Sequence, residues 1–365
     1  MTAFLKWIMI LINIMAVLAL VLVKIGSLVS PDTLLLPAYT SLALLPFIII
    51  NIGFVLFWSI LRKWTFLLSL LALLIFSSTV KSAFPINFHK GKIDTNRQKI
   101  TILTYNTMNT GNLKEHREDD PNPVVKYILD SQADIVCLQE MAVSENTHQL
   151  QEKDFNRIFK SYPFKFVTYK LNRWNMHVGM AVLSKYPIIN KKRINYDSAF
   201  NLSVYSDIAI GKDTIRLINN HLESNRITSQ DMQRTSKLKD DFDSGELGSV
   251  TKYLSSKLSV AYKKRAMQVD LIAEIMKKSP YKLIVCGDFN DVPASYAYTT
   301  LKGNLKDAFK ETGNGLGWTF HQSFYRFRID YIMYDKAFQS ANYKTGHLDA
   351  SDHYPIQTDL YLSKY

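Results

Sequence analysis

Polar residues that could do chemistry follow a series of short apolar runs in the later part of this chain. They are Asn106, Glu140, His221, Asp288, Asn290, Asp330, Asp352 and His353. Carboxylates are the ligands that hard divalent cations prefer, and a carboxylate or an imidazole can accept a proton from water. Amides and imidazoles can donate to phosphoryl oxygens. Together, these residue types indicate metal-assisted attack of water on a phosphoester.

Each of these residues has a simpler interpretation when it is taken alone. Glu140 could begin a loop, His221 could be a histidine at a strand end, and Asp288 could cap the turn formed by "NDVP". Asp330, next to Tyr331, could be one half of a buried pair. The combination favours the chemical interpretation, because it supplies metal ligands, a base and phosphate donors at once.

The apolar runs predict the elements that bring these residues together. Runs such as "ITILTYN", "ADIVCLQE", "TIRLINNHLES" and "YKLIVCGDFN" predict strands, while "PVVKYILDSQ" and "AYKKRAMQVDLIAEIMKK" have helical spacing. This alternation predicts an α/β domain with a mixed sheet, in which ligands collect at strand ends. Cys137 and Cys286 lie in apolar runs and indicate core positions rather than a disulfide framework or a cysteine metal site.

One segment of the domain does not fit this alternation. Residues 223–259 are polar and charged, and are too long for an ordinary loop, which predicts an insertion, a partly helical lid or a mobile segment. Its acidic stretch "LKDDFDSGE" indicates a solvated helix end, because the ligand spacing of a calcium loop is absent. The basic run from Lys263 to Arg265 predicts a solvent-facing surface of the following helix.

The first part of the chain has a different composition. Three uncharged apolar intervals lie between Lys6 and Lys24, between Asp32 and Arg62, and between Lys63 and Lys81. Each reaches the lower limit of about 17 to 25 residues for crossing a bilayer, so three transmembrane helices are predicted within residues 1–85, here called the anchor. A cleaved signal peptide would explain only the first interval. No acid or histidine lies inside these intervals, so no proton or ion pathway is predicted.

Basic residues bear on the orientation of the anchor. Arg62 and Lys63 in a tight loop, together with Lys6, predict that this side faces the cytoplasm. The catalytic part would then lie on the periplasmic or extracytoplasmic side of an inner (plasma) membrane, although Lys24 and Lys81 argue for the opposite orientation. The chain has a formal net charge of +12, and a basic surface suits a phosphate-bearing substrate, an anionic membrane or simple solubility.

Ordered motifs from Ile100 onward resemble the endonuclease/exonuclease/phosphatase superfamily. These motifs are "YN", "LQE", "GMAVLSKYPI", "NNHLES", "GDFND", "RIDYIM" and "SDHYPI". The resemblance implies a two-sheet, four-layer α/β sandwich over residues 100–365, joined to the anchor by a linker at residues 86–99. The superfamily includes deoxyribonucleases, abasic-site endonucleases, neutral sphingomyelinases and inositol polyphosphate phosphatases.

The resemblance also implies a role for each candidate residue. Glu140 would be the principal ligand of Mg²⁺, or alternatively Mn²⁺, with Asn106 and Asp352 completing the metal site. Asp288 or His353 would be the base, and Asp330 would pair with His353. Asn290 and His221 would donate to phosphoryl oxygens. Arg173 and Asn175, in the motif "NRWNMH", would contact the substrate.

Three functions follow from these predictions. The first is a membrane-anchored phosphodiesterase that acts on a lipid headgroup or another envelope phosphoester, because the anchor holds the site near a bilayer. The second is a DNA or RNA nuclease, because the domain is basic and much of the superfamily cleaves nucleic acid. The third is a membrane scaffold that has lost catalysis. No obligate protein partner is indicated.

Overall fold

The computed structural model describes residues 2–88, 93, 97–173, 175–228, 230–231, 233–235, 244–322 and 325–362. Within these residues, fourteen strands can be followed. They are β1 (Gln98–Asn106), β2 (Ile135–Ser144), β3 (Phe164–Arg173), β4 (Met176–Ser184), β5 (Ile188–Ile194), β6 (Leu202–Ile210), β7 (Asp213–His221), β8 (Lys282–Asp288), β9 (Lys306–Asp307), β10 (Phe320–Gln322), β11 (Tyr325–Phe327), β12 (Asp330–Tyr334), β13 (Phe338–Thr345) and β14 (Ile356–Leu362).

The domain contains two mixed six-stranded sheets. The strand order is β13-β14-β1-β2-β4-β3 in the first sheet and β5-β6-β7-β8-β12-β9 in the second, while β10 and β11 form a separate hairpin. In each sheet the central pair is parallel, β1 with β2 and β7 with β8, and the remaining pairs are antiparallel. The parallel pairs therefore end on the same side of the molecule, where Asn106, Glu140, His221 and Asp288 lie.

Side-chain alternation in the strands explains why the sheets stack. Ile100 and Ile102 of β1 pack with Ile284 and Cys286 of β8 in the core between the sheets. Val285 of β8 points the other way, into the core beneath the outer helices. Strand β8 is thus buried on both faces, as its continuous apolar run predicts. Burial of each such aliphatic side chain contributes about 1.5–3 kcal/mol.

Helices cover the outer faces of both sheets and complete the four-layer sandwich. Those of the domain are α6 (Met108–Leu113), α7 (Pro123–Asp130), α8 (Glu152–Ile158), α9 (Ser244–Lys277), α10 (Tyr296–Lys302) and α11 (Ala308–Thr312). The first of these, α6, is a left-handed turn with positive φ angles throughout. Asn122 begins α7 by accepting from the backbone N–H groups of Val124 and Val125. The predicted two-sheet, four-layer sandwich is confirmed.

The long helix α9 differs from the sequence prediction. It begins at Ser244, seventeen residues before the apolar-periodic stretch that predicted it, so much of the predicted insertion is helical. The prediction that the basic run of this helix faces solvent is wrong for Arg265, whose side chain is buried. The acidic stretch at residues 238–243 lies outside the described residues.

The anchor contains two helices long and apolar enough to cross a membrane, Ala3–Leu28 and Leu36–Ile60. The first is α1; the second is built from α2 (Leu36–Thr40), a 3₁₀ turn (Ser41–Ala43) and α3 (Leu44–Ile60). A third apolar segment is divided into α4 (Phe66–Ile75) and α5 (Ser77–Ala83), which meet at an angle of 73°. It counts as a third span only if this bent pair crosses the membrane as one unit.

Helices α1 and α2 approach closely at Gly26. A Cβ atom at this position would lie 2.3 Å from the backbone oxygen of Pro37, so only glycine allows this contact. Deeper in the bundle, Trp58 packs with Ala16 and Phe54. The first turns of the helix Leu36–Ile60 contact the catalytic domain through Tyr39 and Leu42, and the turn at Arg62 and Lys63 follows the other end of that helix.

A chain of neutral polar side chains runs through the centre of the anchor. Trp58 Nε1 donates to Asn13 Oδ1 at 3.1 Å, and Asn13 Nδ2 donates to Ser69 Oγ at 2.6 Å. Ser69 Oγ donates to Asn51 Oδ1 at 2.8 Å, and Asn51 Nδ2 donates to the backbone oxygens of Ala16 and Phe47. These bonds connect α1, α3 and α4, in the way that polar side chains join helices in membranes.

Candidate active site

Seven of the predicted site residues line one cavity of about 310 Å³ at the shared end of the two sheets. They are Asn106, Glu140, His221, Asp288, Asn290, Asp352 and His353. Because they come from β1, β2, β7, the end of β8 and the loop before β14, both sheets contribute to a single site. Asp330 lies directly behind this wall and contacts His353.

Glu140 reaches the cavity because β2 is irregular at this point. The pairing of β2 with β4 shifts register between Leu138 and Met141, and Glu140 has a φ angle of 49°. Its backbone oxygen accepts from Thr107 Oγ1 at 2.8 Å, which holds the irregular turn in place. The result is one partly exposed carboxylate on a strand whose neighbouring residues are buried. Burial raises the pKa of Glu140, while the nearby charge of His353 lowers it.

Asp288 is the centre of the cluster. Its Oδ2 accepts from Asn106 Nδ2 at 3.0 Å and from Asn290 Nδ2 at 3.1 Å, and its Oδ1 accepts from the backbone N–H of Asn290 at 2.7 Å. Burial raises the pKa of Asp288 to about 6, against the opposing effects of His353 and His221. The carboxylate is therefore held in one orientation by N–H donors on both oxygens.

Glycine precedes Asp288 for a steric reason. Gly287 has a φ angle of 115°, and a Cβ atom there would lie 2.1 Å from the backbone oxygen of Asn220 on the adjacent strand β7. The sequence "GDFN" therefore combines a position where only glycine fits with the two polar side chains that follow. Asn290 also has a positive φ angle of 52°, which turns the chain back toward β7.

His353 and Asp330 form a buried pair. His353 Nδ1 lies 2.9 Å from Asp330 Oδ2, and His353 Nε2 lies 3.7 Å from Asp288 Oδ2. Burial alone lowers the pKa of His353, but Asp330 and Asp288 together raise it to about 10. Asp330 Oδ1 has no hydrogen-bond partner among the described residues. The imidazole is thus fixed in orientation and held near the central carboxylate.

His221, at the end of β7, and Asn290, just after β8, face the same space from the second sheet. His221 Nε2 lies 3.5 Å from Glu140 Oε1 and 3.9 Å from Asp288 Oδ2, and burial lowers the pKa of this histidine. Both N–H groups of the Asn290 amide are directed at acceptors, the backbone oxygen of Leu222 at 2.9 Å and Asp288 Oδ2. In this arrangement Asn290 holds the turn and the central carboxylate in place.

Arg265 supports one wall of the cavity, a role that the sequence did not predict. Its Nε donates to Asp291 Oδ2 at 3.2 Å, its Nη1 to the backbone oxygen of Glu223 at 2.6 Å, and its Nη2 to Asn225 Oδ1 at 2.9 Å. The charge of Asp291, which the sequence indicated only as part of a turn, is therefore neutralised inside the protein. Helical spacing could not reveal that Asp291 is the partner of Arg265, because the two residues lie far apart in sequence.

One of the two predicted substrate contacts, Asn175, is not brought to this cavity. Asn175 is exposed in the turn between β3 and β4, and its backbone oxygen accepts from the N–H of Glu145. It is absent from the lining of the cavity as far as the structure describes it. The side chain of Arg173 lies outside the described residues, so its role stays a prediction.

Residues that could hold a divalent cation are present in two groupings. Asp288, Asp330 and His353 offer ligand atoms within 4.8 Å of one another. In this group, however, the His353 imidazole already contacts both carboxylates. Mg²⁺ prefers oxygen ligands and several waters over a nitrogen ligand. Glu140 and Asp352 both lie in the cavity with partly exposed side chains, beside the Asn106 amide. This oxygen-rich set fits a hard cation better than the buried Asp-Asp-His group.

Most of the chain matches a known protein family. Residues 103–353 match the Endonuclease/Exonuclease/phosphatase family. The chain belongs to this family. Residues 6–83 match a separate domain of unknown function, and the search of curated proteins found no match. The family assignment covers more than half of the chain and makes it a phosphoester hydrolase by class.

Solved structures with similar chain traces include three family members or catalytic domains. An endonuclease/exonuclease/phosphatase from Beutenbergia cavernae DSM 12333 has 16% identity and a TM-score of 0.48, covering 73% of this chain and 72% of that chain. The human Nocturnin catalytic domain has 17% identity and a TM-score of 0.48, covering 73% and 98%. A family protein from Bacteroides thetaiotaomicron has 15% identity and a TM-score of 0.46, covering 73% and 99%.

Proposed function

We propose that this chain is a membrane-anchored, divalent-metal-dependent phosphodiesterase that acts on a lipid headgroup or another envelope phosphoester. The observation that carries the proposal is the convergence of seven polar residues from both sheets on one cavity around Asp288. The two apolar helices at the N-terminus support attachment to a membrane.

The side chains suggest a division of labour in the reaction. Asp288 orients a water molecule and accepts its proton, since N–H donors fix the carboxylate beside the cavity. The imidazole of His353, held by Asp330, lies on the other side of that carboxylate and interacts with the developing negative charge. His353 is the alternative base if Asp288 serves only to orient the water.

His221 presents Nε2 to the cavity and is the group proposed to donate to a phosphoryl oxygen. Asn290 can take the same role only when its amide turns away from the backbone oxygen of Leu222. Glu140, Asp352 and Asn106 would hold Mg²⁺ or Mn²⁺, which when bound neutralises charge on the phosphoryl oxygens. Asn106 Nδ2 lies 3.5 Å from Glu140 Oε1, and Asp352 lines the same cavity.

The membrane orientation is also part of the proposal. Arg62 and Lys63 follow the end of the helix Leu36–Ile60 that is remote from its contacts with the domain at Tyr39 and Leu42. The positive-inside rule then assigns the domain to the extracytoplasmic side of the plasma membrane. A reporter that fluoresces only in the cytoplasm, fused after Tyr365, should remain dark. A bright reporter would reverse the orientation without affecting the enzymatic proposal.

A nuclease is the second candidate, because the domain is basic. Activity on DNA that falls steeply as salt is added would favour it, since phosphate contacts release counterions. The third candidate, an inactive scaffold, is disfavoured by the presence of metal ligands, base and phosphate donors in one cavity.

A substrate screen tests the proposed activity. The full-length protein, purified in detergent with Mg²⁺ or Mn²⁺, is assayed against bis-p-nitrophenyl phosphate, DNA, RNA, inositol phosphates and phospholipids. Hydrolysis by the wild type that is lost in Asp288→Ala and His221→Ala is the expected result. If no phosphoester is cleaved with either metal, the enzymatic proposal is wrong.

A further inference from the structure

An apolar cleft lies between the anchor and the catalytic domain. This anchor cleft has a volume of about 200 Å³. Its lining comes from the start of the second membrane helix, the end of α5, and two loops of the domain. The residues are Ser41, Leu42, Leu44, Leu45, Pro46, Ala83, Val292, Pro293, Leu316, Trp318, Arg326, Phe327 and Arg328.

The anchor cleft borders the catalytic cavity. Leu42, Val292 and Phe327 line both spaces. Val292 directly follows residues 289–291, here called the catalytic loop, and Phe327 belongs to the β10–β11 hairpin. Because these three side chains line both spaces, a molecule bound at the catalytic residues would extend into the cleft along them.

The anchor is fixed against the domain by specific contacts. Ala294, next to the catalytic loop, packs with Leu20 and Leu44 in a core of the anchor. Tyr39 donates its hydroxyl to the backbone oxygen of Ser255 at 2.9 Å, and its ring packs edge-on against Tyr262. These contacts hold Leu42 at the catalytic cavity, so the anchor forms part of the site wall.

A buried charge closes the other side of the cleft. Arg328 Nη2 donates to the backbone oxygen of Ser82 in α5 at 2.7 Å, and its Nη1 donates to Asp307 Oδ2 at 2.9 Å. This guanidinium is thus already neutralised by Asp307. Arg326 is exposed at the edge, with its guanidinium 5.4 Å from the Trp318 ring. The interior of the cleft therefore presents mainly hydrocarbon.

The position of the cleft relative to a bilayer matches a lipid molecule. Leu42, Leu44 and Leu45 belong to the first turns of the helix Leu36–Ile60, so they lie where that helix enters the membrane. Lipid phosphates lie in the same interfacial layer, with their hydrocarbon chains extending inward. A lipid with its phosphate at His221 and its hydrocarbon chain along Leu42 would have the same orientation as the lipids of the bilayer.

We infer that the substrate is an amphipathic phosphoester, a membrane lipid whose phosphate binds in the catalytic cavity and whose hydrocarbon chain occupies the anchor cleft. The inference rests on the proposed phosphodiesterase function and adds that the anchor itself binds the substrate. A nucleic acid would need several basic and stacking groups in series, whereas Arg326 and Trp318 stand here among mainly aliphatic side chains. The apolar lining of the cleft favours the lipid.

Chain length provides the test, since it can be varied without changing the reacting group. The full-length protein in one detergent is given ethyl p-nitrophenyl phosphate and hexadecyl p-nitrophenyl phosphate, and release of p-nitrophenolate is followed. We expect kcat/KM to be at least about tenfold higher for the hexadecyl ester, a change that burial of only a few methylene groups would produce. DNA should be a poorer substrate than the hexadecyl ester.

Variants of the cleft assign the preference to these residues. Leu42→Trp should fill the passage and reduce the hexadecyl-to-ethyl ratio of kcat/KM to near one. Leu42→Ala, the milder change, should lower the same ratio if the tryptophan variant does not fold. The matched control Leu56→Trp, on an exposed face of the anchor, should keep the wild-type ratio.

The possible outcomes separate the two proposals. If the wild type cleaves both esters equally well, or DNA better than either, the lipid inference is wrong while the phosphodiesterase proposal stands. If Leu42→Trp and Leu42→Ala both keep the wild-type ratio, the cleft does not bind the chain. Failure to cleave any of these esters would contradict the proposed function itself.

Discussion

The protein contains two buried polar clusters with opposite characters. In the anchor, Asn13, Asn51, Trp58 and Ser69 are neutral, and each of their side-chain nitrogen and oxygen atoms has a hydrogen-bond partner. In the catalytic domain, the cluster around Asp288 combines three acids and two histidines within a few ångströms. One of its oxygens, Asp330 Oδ1, has no partner among the described residues.

This difference separates structure from chemistry. A neutral network with every partner present stabilises helix packing and leaves no group free to act on a ligand. A charged cluster with several carboxylates costs free energy to bury, so its retention in the fold indicates a functional role. The comparison therefore predicts that substitutions in the catalytic cluster will lower activity, whereas substitutions in the anchor network will lower stability alone.

Removal of the metal should have the largest effect. Chelation with EDTA should abolish hydrolysis, and added Mg²⁺ should restore it, because the carboxylates alone cannot neutralise charge on the phosphate. Glu140→Gln should raise the Mg²⁺ concentration needed for half-maximal activity by at least about tenfold, as loss of a ligand charge weakens the site. Glu152→Gln, an exposed glutamate on α8, is the control. Full activity in EDTA would contradict the metal assignment.

Asp288→Asn should follow in magnitude. Loss of the base is expected to lower kcat by about a hundredfold to ten-thousandfold. The free energy of unfolding of the metal-free protein should fall, because the new amide N–H group faces N–H donors and the charge of His353 loses a nearby carboxylate. Steady-state kinetics and thermal unfolding check the two effects, with Asp130→Asn on the exposed face of α7 as control. An active Asp288→Asn would leave His353 as the base.

Asp330→Asn should have an intermediate effect. Asp330 orients His353 without lining the cavity itself, and loss of a carboxylate behind a functional imidazole costs about tenfold to a hundredfold. We expect kcat to fall while KM stays near its wild-type value. A raised KM with unchanged kcat would show that Asp330 serves substrate binding instead.

Ser69→Ala should have the smallest effect, and only on stability. It removes the hydroxyl that connects Asn13 and Asn51, and interhelical hydrogen bonds of this kind contribute about 0.6–2 kcal/mol. Thermal unfolding in detergent should show a lower midpoint, whereas hydrolysis of bis-p-nitrophenyl phosphate at low temperature should be unchanged. Ser59→Ala, at an exposed position in the same bundle, is the matched control. Loss of activity in Ser69→Ala alone would mean that the anchor network is coupled to catalysis.

The strand ends could be predicted from sequence because each carries its own local signal. Asn106, His221 and Asp288 each follow a β-branched run, and parallel neighbours end on the same side. No local signal predicted the irregular turn at Glu140. The polar side chain of Glu140 directly after an apolar run was nevertheless enough to predict it as a site residue. These positions depend mostly on the local sequence and the pairing of adjacent strands.

Other features depend on contacts between distant parts of the chain. Helical spacing could not indicate that Arg265 is buried, because its partners Asp291 and Glu223 come from two loops of the domain. Nor could an apolar interval indicate that Leu42 would line the catalytic cavity. The 73° bend between α4 and α5 was also hidden, because the interval that contains it is apolar throughout. Such features depend on how the helices and strands pack against one another after each has formed.

The packing of Ala294 against the anchor has a consequence for how the protein can be dissected. The catalytic loop continues directly from Asn290 through Val292 to Ala294, whose neighbours are Leu20 and Leu44. A fragment made of residues 100–365 would expose these apolar contacts to water and release one end of the catalytic loop. The anchor and the catalytic domain must therefore evolve together. An exchange of anchors between related enzymes would require matching changes beside the catalytic loop.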